Sequence, residues 1–261
     1  MELAGIGKVV FWEGGSLWLA LITGTNTLHL HHAAQISLPL SGEVMFRPSA
    51  GEDFVPYPGA IIAPDTPHAF AAPGRVLAHI LFEPESAAGR ALRDRYGEHG
   101  ISALPQPLVE RLVAPLRTAY AANADDAELV RLAREVIAGL SGVVTRGMAV
   151  DPRIARVIDH VRTHLDEPIT LEALASVAGL SPSRLRHLFV EETGIAAKSF
   201  ILWERINRAL ALGFSGTPWT EAAYATNFAD SAHLTRTCRR MFGLVPTAAR
   251  IGNPQAASSD A

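Results

Sequence analysis

The chain has 261 residues, 48% hydrophobic and 19% charged, with a formal net charge of −3. That is enough chain for one large or two ordinary domains, and the composition excludes long disorder. One cysteine, Cys238, excludes an internal disulfide framework and a cysteine-based zinc site. No apolar run is long enough to span a bilayer, and the expected location is the cytoplasm. Charge is unevenly divided: residues 1–150 hold 11 Lys+Arg against 15 Asp+Glu, whereas residues 151–250 hold 12 against 10, a difference of +2. Any attraction of the second part for nucleic acid must therefore come from local clustering of arginine, since Lys8 and Lys198 are the only lysines.

From residue 9 to about residue 84 the pattern is that of short strands. Apolar runs at 9–12, 17–22, 36–40, 61–63 and 76–82 are separated by turn residues such as Gly14-Gly15, Ser41-Gly42, Pro58-Gly59 and Pro73-Gly74. Many short strands at such intervals suggest a small barrel or sandwich. Within it, His29 and His31 are followed by Gln35, and His68 comes after Gly59 and Pro64. Trp12 and Trp18 lie on strand patterns, where large aromatics fill a core or stack on a ligand.

After Glu83 the period changes. Helices are expected at Ala87–Tyr96, at 108–122 with a kink or break at Pro115, and at 128–144 with Leu129, Leu132, Ala133, Val136, Ile137 and Leu140 on one side. Those stripes either meet a second copy of the chain or pack on its own barrel; the first is favoured. Residues 142–151 read as a hinge. Asp151-Pro152 caps and starts a helix over 153–165, which Pro168 stops.

Two copies of one supersecondary unit follow. In each, a short helical pattern reaches a residue suited to a tight turn, and a second amphipathic pattern ends at glycine. Ala175 and Gly179 have the spacing of Ala223 and Asn227; Leu185 and Gly194 have that of Leu234 and Gly243. Asp230 or Ser231 offers a cap to the last helix, which buries Leu234, Cys238 and Met241 or Phe242 and leaves the arginines off that stripe. Cys238 is then a small buried apolar residue. A helix over 199–214 joins the copies.

This pair of helix-turn-helix units, over roughly residues 151–250, resembles the DNA-binding domain of the AraC/XylS family of transcription regulators. The preceding strands, with His29, His31, Gln35, Gly42 and His68, resemble the cupin-like effector domain found in many members. The implied class is α+β multidomain: a cupin-like β-barrel at 1–86, a helical linker or dimerisation region at 87–150, and an all-α DNA-binding domain at 151–251. Its two helix-turn-helix units fall at about 170–194 and 220–243, and residues 252–261 form a frayed tail. The chain departs from the family pattern at Asn227 for glycine, Cys238 for phenylalanine and Ala197 for proline.

The resemblance implies DNA contacts from Ser181, Ser183, Arg186 and His187 in the first unit, and from Ala229, Ala232, His233 and Arg236 in the second. Arg186 and Arg236 suit guanine, and Arg239 or Arg240 suits phosphate. It also implies an effector pocket, with Trp12, Trp18, His29, His31, Gln35 and His68 as candidates. In metal-binding cupins the position of Gln35 holds an acid, and a neutral amide there weakens a divalent-metal site; no cofactor or metal is expected. The partners implied are promoter DNA, a small molecule, a second copy of the chain and, in an activator, RNA polymerase. No catalytic group stands out. The competing readings are a metal-dependent cupin enzyme fused to a DNA-binding module, and a DNA-binding protein that answers to no effector.

Overall fold

The computed structural model describes residues 4–12, 14–143, 151–193 and 195–251. The expected tail, most of the expected hinge and Gly194 lie outside these residues. The chain divides into two compact units: Met1–Pro84, Ala88–Thr145 and Cys238–Ala261 form the first, and Glu85–Ala87 with Arg146–Thr237 the second.

In the first unit the strands are β1 (Ala4–Trp12), β2 (Gly15–Thr23), β3 (Ala34–Pro39), β4 (Val44–Arg47), β5 (Val55–Tyr57), β6 (Ala60–Ile62), β7 (Ala69–Ala71), β8 (Arg75–Phe82), β9 (Ile101–Ala103) and β10 (Ala249–Ile251). They form a seven-stranded sheet in the order β10-β1-β2-β8-β3-β6-β9 and a three-stranded sheet in the order β5-β4-β7. Every pairing is antiparallel except that of β1 with β10. The helices are α1 (Ala87–Tyr96), α2 (Gln106–Ala121) and α3 (Asp126–Ser141).

The large sheet is covered on both faces. Because strand side chains alternate, Leu17 and Leu19 of β2, Ile36 and Leu38 of β3, and Ala78 and Ile80 of β8 share one face. They join Val113, Leu116, Leu132, Val136 and Leu140 of α2 and α3 in one buried core. On the opposite face Ile22, Ile62 and Leu77 pack with Val44, Phe46 and Phe70 of the small sheet. A strand covered on both sides loses the alternation visible in a half-exposed one, and all six residues of β3 are buried.

The helical stretch expected as a linker is thus part of this unit. β9 pairs with β6, and the apolar stripes of α2 and α3 are buried against the chain's own sheet rather than held out to a second copy. Pro115 lies within α2 without ending it. Its residue is exposed, so the missing amide bond falls on the watery side. Asp125 caps α3 by accepting from the Glu128 amide at 2.8 Å.

The second unit is helical: α4 (Pro152–Thr163), α5 (Leu171–Ala178), α6 (Pro182–Thr193), α7 (Ala197–Phe214), α8 (Trp219–Tyr224) and the start of α9 (Ser231–Phe242). The Asp151 carboxylate accepts from the Arg153 amide at 2.9 Å, and the Thr170 hydroxyl accepts from Ala173 at 3.2 Å. Ile154, Val157 and Val161 of α4 pack with Leu174, Leu185, Leu188 and Phe189 of α5 and α6. Arg205 of α7 donates to the carbonyls of Leu165 at 3.1 Å and Glu167 at 2.6 Å, tying the joining helix to the end of α4. Gly213 lies against the Trp219 ring so closely that an added Cβ would meet it at 2.1 Å, which fixes the α7–α8 corner.

The two turns match bond for bond. The Leu180 amide donates to the Ala175 carbonyl and the Phe228 amide to that of Ala223, both at 2.9 Å. Gly179 has φ 66° and Asn227 φ 57°, so the left-handed geometry demanded of both residues is met. Asn227→Ala should therefore lower stability by about 1–2 kcal/mol, whereas Asn227→Gly should not, as read by urea denaturation of the full chain. Ala197 is the first residue of α7, and Ala196 before it is extended at φ −68°, ψ 141°. An extended residue before and a first helical position at 197 both suit a proline there, so Ala197→Pro should raise stability in the same assay by about 0.4–1 kcal/mol.

Candidate functional site

Two places carry chemistry, one in each unit. In the second unit the helix after each turn hides one stripe and presents another. α6 buries Leu185, Leu188 and Phe189 and exposes Ser181, Ser183, Arg186 and His187 around its start. Ser181 also accepts from the Arg184 amide at 3.2 Å, so its hydroxyl caps the helix as well as facing solvent. α9 buries Leu234, Cys238 and Phe242 and exposes Ala232 and Arg236, with Ala229 exposed in the turn before it. His233 is only partly exposed; its ring meets Phe228 edge-on at 5.2 Å, and its amide donates to the Asp230 carboxylate. Arg239 and Arg240 are exposed on the last turn of α9.

The first unit holds a partly open cavity of about 60 Å³ on the inner face of its large sheet, bordered by Phe70 of the small sheet and by Phe242, Leu244 and Ala248. Trp18, Phe70, Leu81 and Phe242 form its apolar wall. His29, His31, Gln35 and His79 supply the polar atoms, and no lining side chain is a lysine, arginine or acid. Burial disfavours the charged form of all four neighbouring imidazoles. It lowers the pKa of His29 and of His31, and takes His68 and His79 to about 3.

The strands decide which candidates meet here. Trp18 is cross-strand from His79, and Ser37 of β3 is cross-strand from it on the other side, so all three share the inner face. Trp12 does not belong to the cavity. It stands an even step from Val10 and packs into the core under the helices, on the opposite face of the sheet. His68 is fully buried and pairs with His29 through an isolated β-bridge, without bordering the cavity. His32, next to His31 in the run, instead meets the Asp65 carboxylate at 3.4 Å.

His79, Phe70 and Phe242 line the cavity without having been expected there from the sequence, which placed Phe242 only on the buried stripe of the last helix. His79 carried a faint signal, a lone polar residue on the alternate face of an apolar strand. Phe242 carried none, because it reaches the cavity through the far end of the chain. Its ring lies 5.6 Å from Trp18 and 6.3 Å from His31. The segment is pinned by the Thr27 amide donating to the Gly243 carbonyl at 3.0 Å. A Cβ on Gly243, whose φ is 67°, would meet the Thr27 carbonyl at 2.3 Å.

Residues 174–251 match the family model described as a helix-turn-helix domain. Among curated proteins, the chain is 31% identical over 101 residues to the HTH-type transcriptional regulator GlxA of Rhizobium meliloti (strain 1021), covering 38% of this chain and 31% of that one. It is 30% identical over 105 residues to the arabinose operon regulatory protein of Escherichia coli (strain K12), covering 40% and 36%. The chain thus spans about a third of the length of these relatives. Among solved structures, ToxT from Vibrio cholerae O395 aligns with 94% of this chain and 94% of its own at a TM-score of 0.53 and 10% identity, a likeness of fold. The class these findings define is a chain with a helix-turn-helix domain over residues 174–251, preceded by an antiparallel sheet unit.

Cys238 sits on the buried stripe of α9, and burial raises its thiol to about 12. Between pH 9 and about 12 the unfolded thiol ionises while the folded one keeps its proton, so this residue's contribution is whole below pH 9 and lost across that window. A thiol reagent at pH 8 should label the chain in denaturant and leave native protein unlabelled; native labelling at the unfolded rate would place Cys238 at the surface.

Proposed function

We propose that the chain is a sequence-specific DNA-binding transcription regulator of the AraC/XylS type, acting in the cytoplasm and answering to a small molecule held in its first unit. The observation that carries this is the duplication. Two helix-turn-helix units with the same turn hydrogen bonds each hide an apolar stripe and expose a face that carries arginine, Arg186 beside Ser181 and Ser183 in the first and Arg236 in the second. α6 and α9 are the helices offered to successive major grooves, about 10 bp apart. Arg186 and Arg236 read guanine, while Ala229 and Ala232 reach no further than a thymine methyl, so the second unit leans more on backbone contacts.

The partly apolar cavity supports an effector, and a ToxT structure from Vibrio cholerae strain SCE256 carries a bound unsaturated fatty acid. Binding of the effector shifts DNA affinity by the difference in its affinity for the DNA-competent and incompetent states. A homodimer and a contact with RNA polymerase complete the reading. The enzyme alternative has no support in an acid–base pair at the cavity, whose imidazoles are the only titratable groups lining it among the described residues.

The test is selection of bound fragments from a genomic library, followed by footprinting with and without candidate metabolites. Two protected patches one helical turn apart are expected; equal binding to random duplex at low and moderate salt would sink the proposal. In the same assay Arg186→Ala should relax base preference at one position, each lost bidentate pair being worth about 1–3 kcal/mol. Arg240→Ala should weaken all sequences alike and reduce the salt slope by about 1.

A further inference from the structure

The cavity of the first unit offers a ligand aromatic rings and hydrogen bonds but no fixed charge. Trp18, Phe70 and Phe242 bring three aromatic rings to its wall, while its polar side chains are three imidazoles and one amide. No lysine, arginine, aspartate or glutamate lines it among the described residues. Arg239 borders a neighbouring cleft with Thr25 and Thr27. That cleft shares Leu244 and Ala248 with the cavity, but the arginine is not part of the cavity's own wall.

The imidazoles do not supply the missing charge. Burial lowers the pKa of His29 and His31 and takes His79 to about 3. The rings also crowd one another, with the His29 and His31 centroids 5.7 Å apart, so a proton on one disfavours a proton on the next. Neither the ring tautomers nor the direction of the Gln35 amide alters this balance. A neutral imidazole has one donor and one acceptor nitrogen, and an amide has both kinds of group, in any arrangement. A hydroxyl is therefore met whichever way they point, whereas a carboxylate or ammonium loses hydration without gaining a counter-charge.

We propose that the ligand of this cavity is an uncharged, ring-bearing, mostly apolar molecule with a single hydroxyl or carbonyl group. The inference rests on reading the cavity as the effector site and names the chemistry of what enters it. A fatty acid, the kind of ligand in the ToxT structure, would bring a carboxylate that no cavity side chain neutralises. A sugar would press most of its hydroxyls against apolar walls. The space of about 60 Å³ takes only part of a ring, since a benzene-sized guest fills about 150 Å³, so the rest of the ligand reaches through the open side.

Benzyl alcohol, benzoate and benzylammonium carry one ring with a neutral, a negative and a positive group. Each is titrated into the full chain without DNA and followed by saturation-transfer NMR. Benzyl alcohol should bind, and each ion should bind at least about tenfold more weakly. Ala20 lines the cavity two residues from Trp18, on the same face of β2. Ala20→Phe should fill the space and abolish binding of the alcohol. Should that variant not fold, Phe242→Ala answers in its place: it enlarges the space and should tighten the alcohol severalfold. Either ion bound as tightly as the alcohol, alcohol binding unchanged in a folded variant, or no alcohol bound by wild type and Phe242→Ala alike overturns the inference. If the alcohol binds as expected but neutral molecules of this class leave the DNA footprint unaltered, the effector role falls and the chemistry of the cavity stands.

Discussion

The first unit depends on a sheet that is dry on both faces. Where one face of a strand meets water, polar side chains have somewhere to go. In β3 and β8 they do not, so Gln35, Ser37 and His79 point inward and bond one another, with Gln35 also meeting His31. The cavity is the consequence. It is a small, partly open chamber walled mostly by apolar side chains, and burial lowers the pKa of its imidazoles.

The second unit depends on a different constraint, a backbone forced left-handed at one residue between two helices. Gly179 meets it without cost and Asn227 at small cost, and the matching amide bonds to Ala175 and Ala223 show how completely that one residue sets the angle of the helix that follows. Once the turn is set, burial of Leu185 and Phe189 in one copy, and of Leu234 and Cys238 in the other, decides which residues remain outside. The exposed sets differ in chemistry, two hydroxyls with arginine and histidine against two alanines with a single arginine. The copies therefore share a frame without sharing a code.

The far end of α9 has a separate role from its start. Phe242 closes the cavity wall against Trp18, and Gly243 is held by Thr27 so tightly that no side chain fits. The glycine that ends α9 is therefore also a packing element of the sheet unit, followed by β10 alongside β1.

What the amino-acid order determined alone is local. The caps at Asp125, Asp151, Thr170 and Asp230, the turns at Gly179 and Asn227, the limits of α1 and the duplicated unit all depend on residues within a turn or two of one another. What the tertiary structure decided is whatever depends on strand register and on which faces meet. Trp12 and Trp18 look alike in sequence but fall on opposite faces of the sheet, because a strand reverses its exposure at each residue. His79 joins His31 through Gln35 across β3 and β8, a pairing no spacing announces. The stripes of α2 and α3 carry the pattern of an interface or of a core equally well, and only the sheet beneath them chose the core. Strands β4, β5, β7 and β9 are three or four residues long, too short for a period to show; pairing made them strands.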